Sequence, residues 1–172
     1  MRHSNALPAT SVVLRALIVF NWVFGVLIFA MLAGSFRAPD WVWRALHVGP
    51  AAGNDGFASG MRAIMVLGII GVPLGYVVFS RLLTIVESVR AGEPFTAGNA
   101  VRLRTIAWAL LALQLLHVGV AAIASSLSRR GVPLRVGGHF QLGGWLAILL
   151  LFVLAQVFVE GTRMREDLEG TV

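Results

Sequence analysis

Apolar residues run almost unbroken through four intervals of the chain: Val12 to Gly34, Ala63 to Ser80, Ile106 to Ser125 and Leu142 to Val159. Each is about 20 residues long, the length an α-helix needs to cross roughly 30 Å of hydrocarbon. The pattern predicts four membrane-spanning helices.

The long polar interval between spans, Arg81 to Arg104, keeps a helical pattern of its own. Leu82, Leu83, Ile85, Val86 and Val89 recur at helical spacing, so the second helix is expected to continue beyond the hydrocarbon to about Ala91. Gly92 reads as its C-terminal cap, Pro94 as a stiffener of the connection, and Thr96 as the N-cap of the third helix. Phe95 is expected to pack back between the two helices, and Asn99 to hydrogen-bond free backbone groups in the first turn. The interval therefore predicts an antiparallel helical hairpin.

Elsewhere the punctuation is plainer. Pro8 with Thr10 or Ser11 reads as the start of the first helix, and Arg15 can snorkel to the interface. This span is too long for a signal-peptide core and has no small-residue cleavage site before Arg37, so it reads as retained. Ser35 to Gly60 is expected to be a loop carrying one short segment, Trp41 to His47, capped by Pro39-Asp40 and suited to the headgroup layer. The second helix is expected from near Gly60, with Pro73 kinking it and Gly71 and Gly75 permitting close helix contact. A second loop spans Gly131 to Gln141. The fourth helix is expected to run past the interface into Glu160 to Asp167, leaning on the hairpin with Arg163 or Arg165 near Glu87 or Glu93, and with Arg15 at the level of Glu160.

Composition agrees with the pattern. Of 172 residues 58% are apolar and 13% charged, and the mean hydropathy is +0.83. That excludes an ordinary soluble domain and leaves room for one compact membrane domain. All 14 basic residues are arginine, and the net charge is +6. They are dispersed around the spans with no recognition motif, which argues against direct nucleic-acid binding. An even number of spans puts both termini on one side. That side and the hairpin carry Arg2, Arg15, Arg81, Arg90, Arg102, Arg104, Arg163 and Arg165, against Arg37, Arg44, Arg62, Arg129, Arg130 and Arg135 on the other. The balance favours termini and hairpin inside.

Candidate chemistry is sparse. With no cysteine there is no disulfide or thiolate. No paired carboxylates, GxSxG or phosphate-cradling glycine loop occurs, so no enzyme is indicated. Asn21, Tyr76, Gln114, His117 and Gln156 form a candidate intramembrane polar cluster, read either as interhelical glue or as the lining of a ligand pocket. His117 has no second histidine at its depth, since His3, His47 and His139 lie outside the spans, so a bis-histidine haem is not supported. His47 and His139 with Asp40 or Asp55 lack the tight spacing of a metal motif. No cofactor is implied.

The stretch Gly92-Glu93-Pro94-Phe95-Thr96 with Asn99 and Leu103, together with the C-terminal run from Glu160 to Val172, resembles a bacterial four-span membrane-protein family known as domain of unknown function 2975. The resemblance covers nearly the whole chain, and the family's glycine, proline, phenylalanine and asparagine fall on Gly92, Pro94, Phe95 and Asn99. It implies no catalytic residue, a place in the bacterial inner membrane, and a frequent genomic neighbour encoding a small helix-turn-helix regulator.

The sequence thus predicts an all-α integral membrane four-helix bundle with helices two, three and four extended into the cytoplasm. Its expected role is a membrane partner or sensor that controls such a regulator through Gly92, Pro94, Phe95, Asn99, Arg102, Arg163 and Arg165, with membrane lipids as its other partner. The alternatives are an accessory subunit using the glycine-rich second helix, or a small ligand-binding or transport bundle using the polar cluster. No oligomeric state follows from it.

Overall fold

A computed structural model describes residues 6–46, 55–93, 95–129 and 142–169. They form five helices: α1 (Ala6–Arg37), α2 (Pro39–Ala45), α3 (Asp55–Arg90), α4 (Ala97–Ser128) and α5 (Leu142–Glu169). No strand occurs among the described residues. Four apolar stretches within α1, α3, α4 and α5 are long enough to cross a membrane: Ala9–Arg37, Gly56–Arg90, Ala97–Ser128 and Leu142–Met164. At 36 residues α3 is about 54 Å long at 1.5 Å per residue, well above the roughly 30 Å of a hydrocarbon core.

Several boundaries differ from those expected. The first helix starts at Ala6 and places Pro8 in its first turn, where a missing N–H costs nothing. It runs on to Arg37, so the expected loop from Ser35 begins later. The second long helix starts at Asp55 rather than near Gly60, with Pro73 inside it. At α2 the N-cap is Ala38, which makes no side-chain cap, and Pro39 opens the helix; Asp40 instead accepts from Arg44 Nε through its backbone oxygen at 3.0 Å.

The long helices pack in sequence order, α1 on α3, α3 on α4 and α4 on α5. Among the described residues no extensive contact between α1 and α5 closes the set. Without a hydrophobic drive in lipid, such contacts depend on close backbone approach. α1 and α3 run antiparallel in a register that small residues set. The position of a Cβ on Gly75 falls 2.7 Å from Asn21 Oδ1, one on Gly25 falls 2.9 Å from Val72, and one on Gly68 falls 3.3 Å from Ile28. Gly71 faces the other way, toward Leu113 of α4 at 3.5 Å. Gly68, Gly71 and Gly75 of α3 thus pack against neighbouring helices of the same chain.

Two apolar clusters lie toward opposite ends. At one, the fully buried Val42 of α2 meets Phe57, Met65 and Leu127, folding α2 back on α1 and tying both to α3 and α4. Toward the hairpin, Val78, Ile106 and Ala109 pack with Leu82, Ile85 and Leu151. Much of α1 stays exposed, including Phe20, Trp22, Phe24 and Phe29. That is the surface a lipid-facing helix presents.

Candidate functional site

The connection between α3 and α4 is built from its sequence residue by residue. Gly92 adopts φ +84°, a conformation that L side chains rarely take. It lets Gly92 N donate to Val89 O at 3.1 Å and Glu93 N to Ser88 O at 3.0 Å, the paired bonds of a Schellman cap. Thr96 then caps α4, its Oγ1 accepting from Asn99 N at 3.3 Å. Asn99 is fully buried. Its Nδ2 donates to Ser88 Oγ at 2.7 Å, its Oδ1 accepts from Arg102 Nη1 at 2.7 Å, and Ser88 Oγ donates on to Ile85 O at 2.8 Å. One side chain thus locks the end of α3 to the start of α4. Pro94 lies outside the described residues.

Phe95 does not pack back between α3 and α4. Its ring lies against Phe158 of α5 with centroids 5.2 Å apart, and the space beside Gly161 admits it. The reason is room: the crevice between α3 and α4 is filled by Asn99 and Ser88, whereas Gly161 leaves a notch on α5. Phe95 remains 48% exposed. The charge pairings also differ from those expected. Glu87 takes Arg15 of α1, at 3.3 Å, rather than an arginine of α5, and so Arg15 does not pair with Glu160. Arg163 of α5 instead lines a groove against α4. The side chain of Arg165 lies outside the described residues.

The five intramembrane polar residues are distributed over different contacts, and no hydrogen bond joins any two of them among the described residues. Asn21 donates through Nδ2 to Val72 O at 3.0 Å, spending its amide on the α3 backbone just before Pro73. Tyr76 lies against Trp22, centroids 5.9 Å apart. Gln114 points at α5, where its Oε1 is 2.9 Å from the position of a Cβ on Gly144. Gln156 lines the groove of Arg163. His117 lines a separate apolar cavity of about 520 Å³ between α1, α3 and α4, with Phe24, Ile28, Met65 and Leu116. His3, His47 and His139 lie outside the described residues, and among those described no three metal-ligating side chains come together.

At the opposite end the structure shows a contact that sequence reasoning missed. Arg62 Nη2 donates to Ser35 O at 2.7 Å and Nε to Ser35 Oγ at 3.2 Å, while the guanidinium lies 4.2 Å over the Phe36 ring. Arg62 of α3 thereby caps the C-terminus of α1, where a cation is favoured and carbonyls lack intrahelical donors. The signal available was weak: Ser35-Phe36 reads as loop once the helix is ended at Gly34.

Four helices long and apolar enough to cross a membrane put the chain in the class of multi-pass α-helical membrane proteins. The chain belongs to the family described as Protein of unknown function (DUF2975), whose model matches residues 10–172. No curated protein and no solved structure matches it.

Proposed function

We propose that the protein is a non-enzymatic membrane partner that presents its hairpin end to a soluble protein. One observation carries the reading: an apolar ring, Phe95, stands 48% exposed on a turn that Asn99, Ser88 and Gly92 hold rigid. A preorganised loop loses little entropy on binding, and a half-exposed aromatic is the type of anchor that interfaces favour. Arg102, bonded to Asn99 on the same turn, and Arg163, two residues past the Gly161 that Phe95 meets, add positive charge to this end. In this reading the hairpin end faces the bacterial cytoplasm beside both termini, the longer helices project there, and the docked partner is a small helix-turn-helix regulator whose activity the membrane protein controls.

The test is co-purification of that regulator from membranes. Binding is expected to weaken for Phe95→Ala and Arg102→Glu and to persist for Val118→Ala, which lies far along α4. Unchanged binding in the first two, or labelling of a cysteine at position 93 from the outer side of intact cells, would count decisively against the reading.

A second reading, a ligand-binding bundle, is supported by the apolar cavity beside His117. Its ligand would be lipophilic, since Asn21 and Tyr76 are engaged elsewhere. A stoichiometric apolar molecule extracted from the purified protein and lost in Leu116→Trp supports this reading; an empty extract rejects it.

A further inference from the structure

We infer that the groove between α4 and α5 at the hairpin end binds the phosphate headgroup of an anionic phospholipid, with Arg104 and Arg163 as its cationic clamp. The inference shares Arg163 with the docking reading above but does not rest on Phe95 or on any soluble partner. The groove encloses about 450 Å³ and is lined by Arg104, Phe152, Gln156, Val159, Thr162 and Arg163 among others. The two arginines come from antiparallel helices. Because helical side chains tilt toward their own N-terminus, Arg104 leans toward the hairpin and Arg163 leans toward the bilayer, so the two converge on the space between them. Neither has a carboxylate partner among the described residues; Glu87 is held by Arg15, and Glu160 does not line the groove.

Depth selects the occupant. From Thr105 to Ser128 on α4, and from Leu142 to Val159 on α5, there is no charged residue. Arg104 and Arg163 therefore stand where the uncharged stretches end, at the level at which hydrocarbon gives way to headgroups. On its membrane side the groove is apolar: Phe152 lines it from α5 and meets Trp108 of α4 edge-on, centroids 5.4 Å apart, an apolar wall for an acyl chain. Gln156, with no hydrogen bond of its own among the described residues, sits between the two zones, where a glycerol ester presents carbonyl acceptors. Thr162 is not a competing donor, since its hydroxyl is given to Phe158 O at 2.8 Å. Guanidinium above, amide in the middle and aromatic wall below match phosphate, ester and chain in order.

The experiment is native mass spectrometry of the full chain released from detergent, titrated with phosphatidylglycerol or phosphatidylcholine. One phosphatidylglycerol is expected to be retained with about tenfold preference, a size fitting two basic residues near a phosphate. Arg104→Gln and Arg163→Gln should each remove most of that preference, and Arg15→Gln, an exposed arginine on another helix, should not. Should an arginine variant fail to fold, Val159→Trp keeps both cations and fills the groove between Gln156 and Arg163, and is expected to abolish the preference. Equal retention of the two lipids, equal loss in Arg15→Gln, or a preference surviving both an arginine variant and Val159→Trp would overturn the assignment. So would displacement of the lipid by inorganic phosphate alone, which would make the groove a free-anion site.

Discussion

Asn99 Nδ2 donates to Ser88 Oγ at 2.7 Å across the turn from α4 to α3, and the asparagine that makes this bond has no exposed surface. A buried amide must be satisfied at both ends, and here Arg102 supplies the donor that its oxygen needs. Ser88 is also the residue whose carbonyl closes the Schellman cap at Gly92. Helix end, turn and helix start are consequently coupled through one pair of side chains.

Replacing Asn99 by alanine removes its side-chain bonds to Ser88 and Arg102 together and leaves each of those two residues short of a partner. The expected cost is about 1–3 kcal/mol of unfolding free energy, and Ser88→Ala should cost less because Asn99 keeps its bond to Arg102. A double-mutant cycle on the pair, read by reversible unfolding in mixed micelles, is expected to give a coupling of about 1 kcal/mol. A coupling near zero would mean that the two side chains stabilise their own helices separately.

The ion pair between Arg15 and Glu87 should matter little. Its side chains are 69% and 47% exposed, and its single contact is 3.3 Å. Solvent screening at that exposure leaves roughly 0–1 kcal/mol. Arg15→Gln is expected to shift the unfolding midpoint by no more than the scatter of replicate measurements, at low and high salt alike. A clear loss that salt relieves would show that the pair is better shielded than its exposure implies.

Much of this molecule is written in local pattern, and what is not local was harder to read. The four spans, the cap at Gly92 and the cap at Thr96 follow from hydrophobic runs and turn residues, which act within a few positions. Phe95 was expected in the α3 and α4 crevice because those are its sequence neighbours, but the notch that receives it is made by Gly161 on α5. Arg62 was legible only as a flanking charge, since its acceptors belong to the end of another helix. The polar cluster is the sharpest case: Asn21, Gln114 and His117 all lie inside apolar spans, yet helix rotation points Asn21 at α3, Gln114 at α5 and His117 into a cavity. Rotation about a helix axis is set by packing, and an apolar helix surrounded by lipid carries little sequence signal of it.

Glycine substitutions can separate register from composition in α3. Gly75→Ala puts a methyl 2.7 Å from Asn21 Oδ1, and Asn21 is held in place by its bond to Val72 O. Gly71→Ala meets only Leu113 at 3.5 Å, an ordinary contact. The first is expected to destabilise the chain by about 1–3 kcal/mol through overpacking, and the second to be neutral or slightly stabilising through better helix propensity. Gly144→Ala is an intermediate case, since Gln114 is longer and can swing away. Equal effects at positions 71 and 75 in a thermal unfolding assay would contradict the α1 and α3 register.

The contact of Arg62 with the end of α1 distinguishes shape from charge. Lysine would keep the cation near the helix C-terminus but has no planar fork to reach Ser35 O and Ser35 Oγ together while stacking on Phe36. Arg62→Met is therefore expected to cost about 1–3 kcal/mol, by leaving a buried acceptor without its donor, and Arg62→Lys to recover less than half of that. Ser35→Ala removes only the hydroxyl acceptor, and the 2.7 Å bond to the carbonyl survives it, so its effect should be the smallest of the three. Measured in one unfolding series, full rescue by lysine would show that the dipole term alone governs this end of the protein.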